Sequence, residues 1–288
     1  MRLIHPLTRR GVALLARTPV EPWQVVVAHS LIGLLAALLI SADARAAWVG
    51  AALLLQMKTL LDNLDGGLAR ATNRVTELGR YLDTGLDLIV NFAIFAALAV
   101  HGPLALAALG FVILTVVLSC DFNAERLYRD AHGDARSDVP TVGRGGGTST
   151  VAQAPVPEPR TLALRLFSSL YRLLLAPQDR YLSALDGRLF HRAAGVSYLS
   201  ATTAQRRSWS DLFSTAALVN LGLSSQFVAL GACLLLGRPF LYVYLVLLQG
   251  IYVAFVQYLR VMRFRRSAGP TTQPDSSTPS RPAPQGRR

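Results

Sequence analysis

Between Leu88 and Cys120 the chain carries no Asp, Glu, Lys or Arg, and that run constrains the fold more than any other feature. A membrane-crossing helix needs about 20 mostly apolar residues, so the run is too long for one crossing and too apolar for a soluble surface. His101-Gly102-Pro103 divides it in two, since Gly and Pro punctuate helices. Four further runs stand beside it. Residues 25–42 are interrupted by His29, Ser30 and Ser41, and residues 46–61 continue their pattern to Arg70. Residues 212–236 and 240–259 are separated by Gly237-Arg238-Pro239. The sequence therefore predicts an all-α polytopic membrane protein with six transmembrane helices. Composition agrees: 16% of residues are charged, 52% are hydrophobic and mean hydropathy is +0.37, against roughly 25% charged in a globular chain. Cys120 and Cys233 both lie inside apolar runs, so neither a disulfide framework nor a Cys-based metal site is indicated. The net charge of +12 is scattered around the apolar runs and forms no single basic domain. It points to anionic lipid headgroups in a bilayer rather than to nucleic acid.

The basic residues also set the topology. Arg2, Arg9, Arg10 and Arg17 precede the first run, and Arg70, Arg74 and Arg80 join the second to the third. Most of the others lie between runs four and five or after Arg260, whereas the opposite loops hold only Arg45 and Arg238. The positive-inside rule places both termini in the cytoplasm, and in a bacterium the membrane would be the inner one. Residues 11–16 are too short for a cleavable signal peptide. Residues 1–128 thus comprise an amphipathic N-terminal arm and helices one to four, and residues 129–210 form a cytoplasmic insertion. Residues 211–266 hold helices five and six, and 267–288 are a Pro/Ser/Gln-rich tail expected to be disordered. Within the insertion, 133–160 read as a flexible Gly/Ser/Thr/Pro linker. Its glycines are not a phosphate loop, because neither a preceding strand nor a Gly-Lys-Ser/Thr is present. Residues 161–192 alternate Leu, Phe and Tyr with Arg at helical spacing, as in a helix lying on the inner membrane surface.

Four aspartates at the junction of the second and third runs carry the chemistry. An ionised carboxylate within a membrane helix costs on the order of 3 kcal/mol, so Asp62, Asp65, Asp83 and Asp87 together require compensation. Oxygen-only ligands suit Mg²⁺ or Mn²⁺, and equally Ca²⁺. Asp62 and Asp65 are spaced i, i+3, and Asp83 and Asp87 i, i+4, so each pair shares a helix face. Gly66 and Ala69 lie one turn beyond the first pair and Gly79 one turn before the second, leaving room for a substrate. Arg70, one turn beyond Gly66, can meet a phosphate. A helix from Ala46 to Arg70 would be ~38 Å long, against a hydrocarbon core of ~30 Å. The acidic end therefore reaches the cytoplasmic interface as a polar cavity, with Asp87 deepest.

The pattern Asp62-x2-Asp65-Gly66-x2-Ala69-Arg70-x8-Gly79-x3-Asp83-x3-Asp87 resembles the full signature of the CDP-alcohol phosphotransferases, and it covers about a tenth of the chain. Six spans with an amphipathic N-terminal arm also resemble that family, whereas the 129–210 insertion exceeds what its small bacterial members carry. The resemblance implies transfer from a CDP-linked lipid or other CDP-alcohol to a polar alcohol acceptor with release of CMP, in phospholipid biosynthesis. It implies Mg²⁺ or Mn²⁺ held by Asp62, Asp65, Asp83 and Asp87, and CDP bordered by Gly66, Ala69, Arg70 and Gly79. Asp87 would be the catalytic general base, and the protein a homodimer. The acceptor stays open. Members making phosphatidylglycerophosphate typically follow the last aspartate with lysine, and inositol-phosphate users with arginine; here Leu88 follows.

Other readings bear on the same residues. A transporter or carrier could use four intramembrane acids to bind cations or protons, but it has no need of Gly66, Ala69, Arg70 and Gly79 at those spacings. A prenyltransferase would place its acids on two separated helix pairs, and no second cluster exists. Asn91, one turn past Asp87, either bonds within the site or satisfies a neighbouring helix. Lys58, the chain's only lysine, either snorkels, balances acid charge or meets substrate. His29 reads as a packing residue, and Glu125 with Arg129 as an interfacial i, i+4 pair. Trp23, Trp48, Trp209 and Tyr242 read as membrane-interface anchors.

Overall fold

The computed structural model describes residues 11–132 and 161–267. The 133–160 linker, the tail beyond Ser267 and the start of the N-terminal arm lie outside them. The described residues are helical, without a strand. Helix α1 spans Pro22–Ser41, α2 Arg45–Ala71, α3 Glu77–Leu98 and α4 Leu104–His132. The insertion supplies α5, Leu162–Leu170, a π-helical turn over Tyr171–Leu175, α6, Ala176–Ala194, and α7, Thr203–Trp209. Helices α8, Leu212–Val219, α9, Leu223–Leu235, and α10, Leu241–Ser267, follow.

Among the described residues, four helices are long and apolar enough to cross a membrane: α1, α3 with its terminal 3₁₀ turn, α4 and α10. The single fifth helix expected over 212–236 is instead two, α8 and α9, bent by 48°. Asn220 closes α8, and Gly222 starts α9. Helix α2 is 27 residues long, but Lys58, Asp62, Asp65 and Arg70 lower its apolar content. Leu31, Leu38, Leu53, Phe92, Leu248 and Ile251 are exposed; such a broad apolar exterior is what a lipid environment accommodates. These features make the chain an integral membrane protein.

The main core runs between α1, α2, α3, α4, α9 and α10 through Ile40, Leu55, Val90, Ile94, Leu98, Leu114, Leu230 and Val243. At one end, polar backbone groups exposed by the turns are tied across helices. His101 Nε2 donates to the Ile40 carbonyl at 2.6 Å, and the Trp48 indole donates to Ala42 O at 2.7 Å. At the other end α2 returns into α3 through a tight turn. Asn73 adopts φ +55° there, a conformation Asn tolerates better than most residues. Thr76 then caps α3 by accepting from Gly79 N–H at 3.0 Å. The described part of the N-terminal arm is helical over residues 11–15 and packs where Leu64 and Gly67 face Gly11 and Val12.

The insertion does more than lie on a surface. Helix α5 packs against α3, where a Cβ on Gly85 would meet the Phe167 ring at 2.5 Å, and the Tyr171 ring lies tilted against Tyr81. Leu162, Leu166 and Leu173 remain exposed, so one apolar face stays unpacked among the described residues. Two of the expected anchors are core residues. Trp209 is fully buried among Phe190, Phe264 and the Arg260 guanidinium. Buried Tyr242 donates to Gln226 Oε1 at 3.1 Å. Both lie near run ends, yet neighbouring helices cover them. Trp23 is exposed, as an anchor should be.

Candidate active site

The α2–α3 hairpin explains why the four aspartates meet. Asp65 lies six residues before α2 ends at Ala71, and Asp83 lies six after α3 begins at Glu77. Asp62 and Asp87 lie nine and ten residues from the same ends. At 1.5 Å per residue the pairs fall at matching heights, about 9 Å and about 14 Å from the turn. Both helices pack along α1, and there Asp65 comes to Asp83, and Asp62 to Asp87, around His29. One ligand atom each from Asp65, Asp83 and His29 lies within 4.8 Å of the others, and the same holds for Asp62, Asp87 and His29.

Two buried nitrogen side chains enter this cluster. Lys58, one turn before Asp62, is completely buried. Its Nζ donates to Asp87 Oδ1 at 2.7 Å and lies 3.8 Å from Asp62 Oδ1. The Phe227 ring of α9 covers the ammonium at 5.2 Å. Lys58 therefore balances acid charge within the bundle and does not snorkel. Gly33 makes the path for its stem: a Cβ there would meet Lys58 Cδ at 3.1 Å and Val90 Cγ1 at 2.6 Å.

The expectation that His29 is a packing residue is overturned. Its Nε2 lies 3.2 Å from Asp65 Oδ2, 3.7 Å from Asp83 Oδ1 and 3.9 Å from Asp62 Oδ1. The ring is fully buried, and its Nδ1 has no hydrogen-bond partner among the described residues. A lone histidine in an apolar run gave no pattern to mark it. The available signal was that an ionisable side chain inside a membrane helix is a functional-site candidate by default.

The carboxylates are only partly satisfied. Asp65 Oδ1 accepts from the Gly66 N–H, whereas buried Asp83 Oδ1 has no hydrogen-bond partner among the described residues. Four acids face one lysine and one histidine, and leaving buried charge uncompensated is costly. The donor set, hard carboxylate oxygens with an orphaned one among them, fits a divalent cation. Gly66, Ala69 and Gly79 are half-buried around the turn, and Arg70 is exposed. A Cβ on Gly66 would stand 3.6 Å from Arg70 Nη1, so the guanidinium folds back over the residue one turn earlier. Glu125 and Arg129 form the expected i, i+4 pair on α4.

Comparison with known proteins bears on the same segment. Residues 24–154 match the family model for CDP-alcohol phosphatidyltransferase. Just under half of the chain is thus similar to the CDP-alcohol phosphatidyltransferases. The match takes in α1 from Gln24 onward and all of α2, α3 and α4, with the four aspartates, Lys58 and His29. Among curated proteins, the chain is 51% identical over 49 residues to the bifunctional IPC transferase and DIPP synthase of Aquifex aeolicus, covering 17% of this chain and 11% of that one. To the protein of the same name from Thermococcus kodakarensis it is 33% identical over 131 residues, 43% of this chain and 28% of the relative. It is 40% identical over 76 residues to the archaetidylinositol phosphate synthase of Aeropyrum pernix, 24% of this chain and 39% of the relative. The chain thus spans between about a tenth and two-fifths of the lengths of these relatives.

Proposed function

We propose that the protein transfers a phosphatidyl or other substituted phosphoryl group from a CDP-alcohol to the hydroxyl of an acceptor alcohol, releasing CMP, in phospholipid synthesis. The observation that carries this reading is the meeting of Asp62, Asp65, Asp83 and Asp87 across one hairpin, within the matched domain. Asp62, Asp65, Asp83 and Asp87 would hold Mg²⁺ or Mn²⁺, which when bound neutralises diphosphate charge and eases departure of CMP. Gly66, Ala69 and Gly79 border the nucleotide and admit it where larger side chains would not. Arg70 pairs with its phosphate. Asp87 takes the proton of the acceptor hydroxyl as the acceptor oxygen forms its bond to phosphorus and the bond from phosphorus to the CMP oxygen breaks. Lys58 holds Asp87 Oδ1 in place, leaving Oδ2 to act as base.

The membrane arrangement belongs to the same proposal. Helix α2 crosses as a sixth span beside α1, α3, α4, the α8–α9 pair and α10, with its acidic end at the cytoplasmic interface and both termini on that side. The names of the archaeal relatives direct the choice of acceptor first to inositol phosphate, although Leu88 stands where inositol-phosphate users usually have arginine.

The test is CMP release from CDP-diacylglycerol, and from a CDP-activated archaeal lipid, by protein purified in detergent with Mg²⁺ or Mn²⁺. Inositol phosphate, glycerol 3-phosphate and serine are offered in turn, and CDP-choline and CDP-ethanolamine serve as alternative donors. Metal-dependent CMP release with one pair is expected. Absence of CMP with every pair overturns the transferase reading and leaves a carrier that uses the acids to bind cations.

A further inference from the structure

The acid cluster is lopsided. Lys58 occupies its deep side, paired with Asp87 and reaching Asp62, and its ion pairs do not extend to Asp65 or Asp83. On that other side stands His29, reached from a different helix and 36 residues before Asp65 in sequence. Its Nε2 points at Asp65 Oδ2 and Asp83 Oδ1 from 3.2 and 3.7 Å. Donors that share one divalent ion through bonds of about 2.1 Å sit roughly 3–3.5 Å apart, so the spacing is close to that of a common ligand shell. Two buried atoms here lack hydrogen-bond partners among the described residues, Asp83 Oδ1 and His29 Nδ1. An apolar side chain would fill the α1 position without the second of these costs, about 1–3 kcal/mol for an unsatisfied buried group. The ring is therefore explained by what its Nε2 faces.

We propose that His29 Nε2, together with Asp65 and Asp83, forms a nitrogen-containing divalent-cation site, so that the centre is not the all-carboxylate one its aspartate pattern implies. The inference rests on the metal-dependent reading above. Its chemical consequence is selectivity. Imidazole raises affinity for Co²⁺, Zn²⁺ and other later divalent ions far more than for Mg²⁺ or Ca²⁺, whose preference is oxygen. His29 would thus make the site favour ions from Mn²⁺ onward in that order.

The experiment reads the metal and not turnover. The full-length protein in detergent is titrated with Mn²⁺, and pulsed EPR of the bound ion is recorded at natural abundance and after labelling with ¹⁵N-histidine. Nitrogen modulation that changes with the isotope is expected, and it should vanish in His29→Gln. The same variant should lower the Co²⁺-to-Mg²⁺ affinity ratio about tenfold, the scale on which a site's supporting ligands tune metal affinity. Labelling of the unaltered protein keeps the test valid if His29→Gln fails to fold. Bound Mn²⁺ without histidine modulation overturns the His29 assignment and leaves the aspartate centre standing. No Mn²⁺ binding at millimolar concentration overturns both this inference and the metal reading beneath it. CMP release is measured on the same preparation, so failure of the transferase reading registers separately.

Discussion

Two regions of this protein bury charge, and they handle it in opposite ways. Where α6, α7 and α10 meet, Asp186 and Arg260 are both almost fully buried. Arg260 Nη1 donates to Asp186 Oδ1 at 2.7 Å, its Nε donates to Trp209 O at 2.7 Å, and the Trp209 indole donates to Asp186 Oδ2 at 3.2 Å. Charge is matched one to one, and both carboxylate oxygens are bonded. Where α1, α2 and α3 meet, four carboxylates face Lys58 and His29, and Asp83 Oδ1 is left without a hydrogen-bond partner among the described residues. A closed network fixes structure and needs nothing more. An open one at the end of a hairpin requires something from outside the chain, and here that requirement is the functional feature.

The largest expected effect lies in the open cluster. Asp87→Asn keeps the size of the side chain and its bond from Lys58 but cannot accept a proton as a carboxylate does. CMP release should fall by about 10²–10⁴-fold, the usual contribution of a positioned base, while CDP-lipid binding and melting temperature stay near those of the unaltered protein. Turnover within a fewfold of normal would remove Asp87 from the base role. In the closed cluster the pattern reverses. Arg260→Met strands Asp186 and should cost about 3–5 kcal/mol, whereas Arg260→Met with Asp186→Leu should recover most of it. Thermal unfolding in detergent reads both; equal losses in the single and double variants would mean that the pair does not act as a unit.

How far the sequence foretells these two regions depends on whether a local pattern specifies them. The hairpin was legible because helical period and spacing alone put Asp62 with Asp65 and Asp83 with Asp87, and α2 runs to Ala71, one residue past the expected end. His29 was not, since a single histidine has no period and its partners lie on other helices. Lys58 was legible as a countercharge but not as the ligand of Asp87. Trp209 and Tyr242 were misread because aromatic placement near a run end is the same for an interface anchor and a core residue; only tertiary packing separates them. The α8–α9 break was hidden for a related reason. Asn220 and Gly222 are mild interruptions within an apolar run, and hydropathy averages across them.

Lys58→Met sharpens the contrast by opening the open cluster further. The buried methylene stem is retained, but the charged hydrogen bond to Asp87 is lost. Such bonds contribute about 1.5–3 kcal/mol, so CMP release should drop roughly ten- to a hundredfold. Because the carboxylates then lack their one fixed ammonium, the melting temperature should become more dependent on added Mg²⁺ than that of the unaltered protein. A metal response no larger than normal would mean that Lys58 only packs.

The smallest effect tests whether the insertion takes part in positioning the site at all. Gly85 lies between Asp83 and Asp87 in sequence but faces the other way on α3, against Phe167 of α5. Gly85→Ala puts a Cβ 2.5 Å from the ring edge, an overpacking that should cost about 1–3 kcal/mol. Phe167→Leu combined with it should restore much of the loss, because contacting residues are energetically coupled and distant ones are not. If α5 sets the position of α3, then Gly85→Ala also lowers CMP release, and the double variant recovers activity and melting temperature together. Recovery of stability without activity would separate the two roles, leaving Phe167 as packing and the aspartate geometry as a property of α1, α2 and α3 alone.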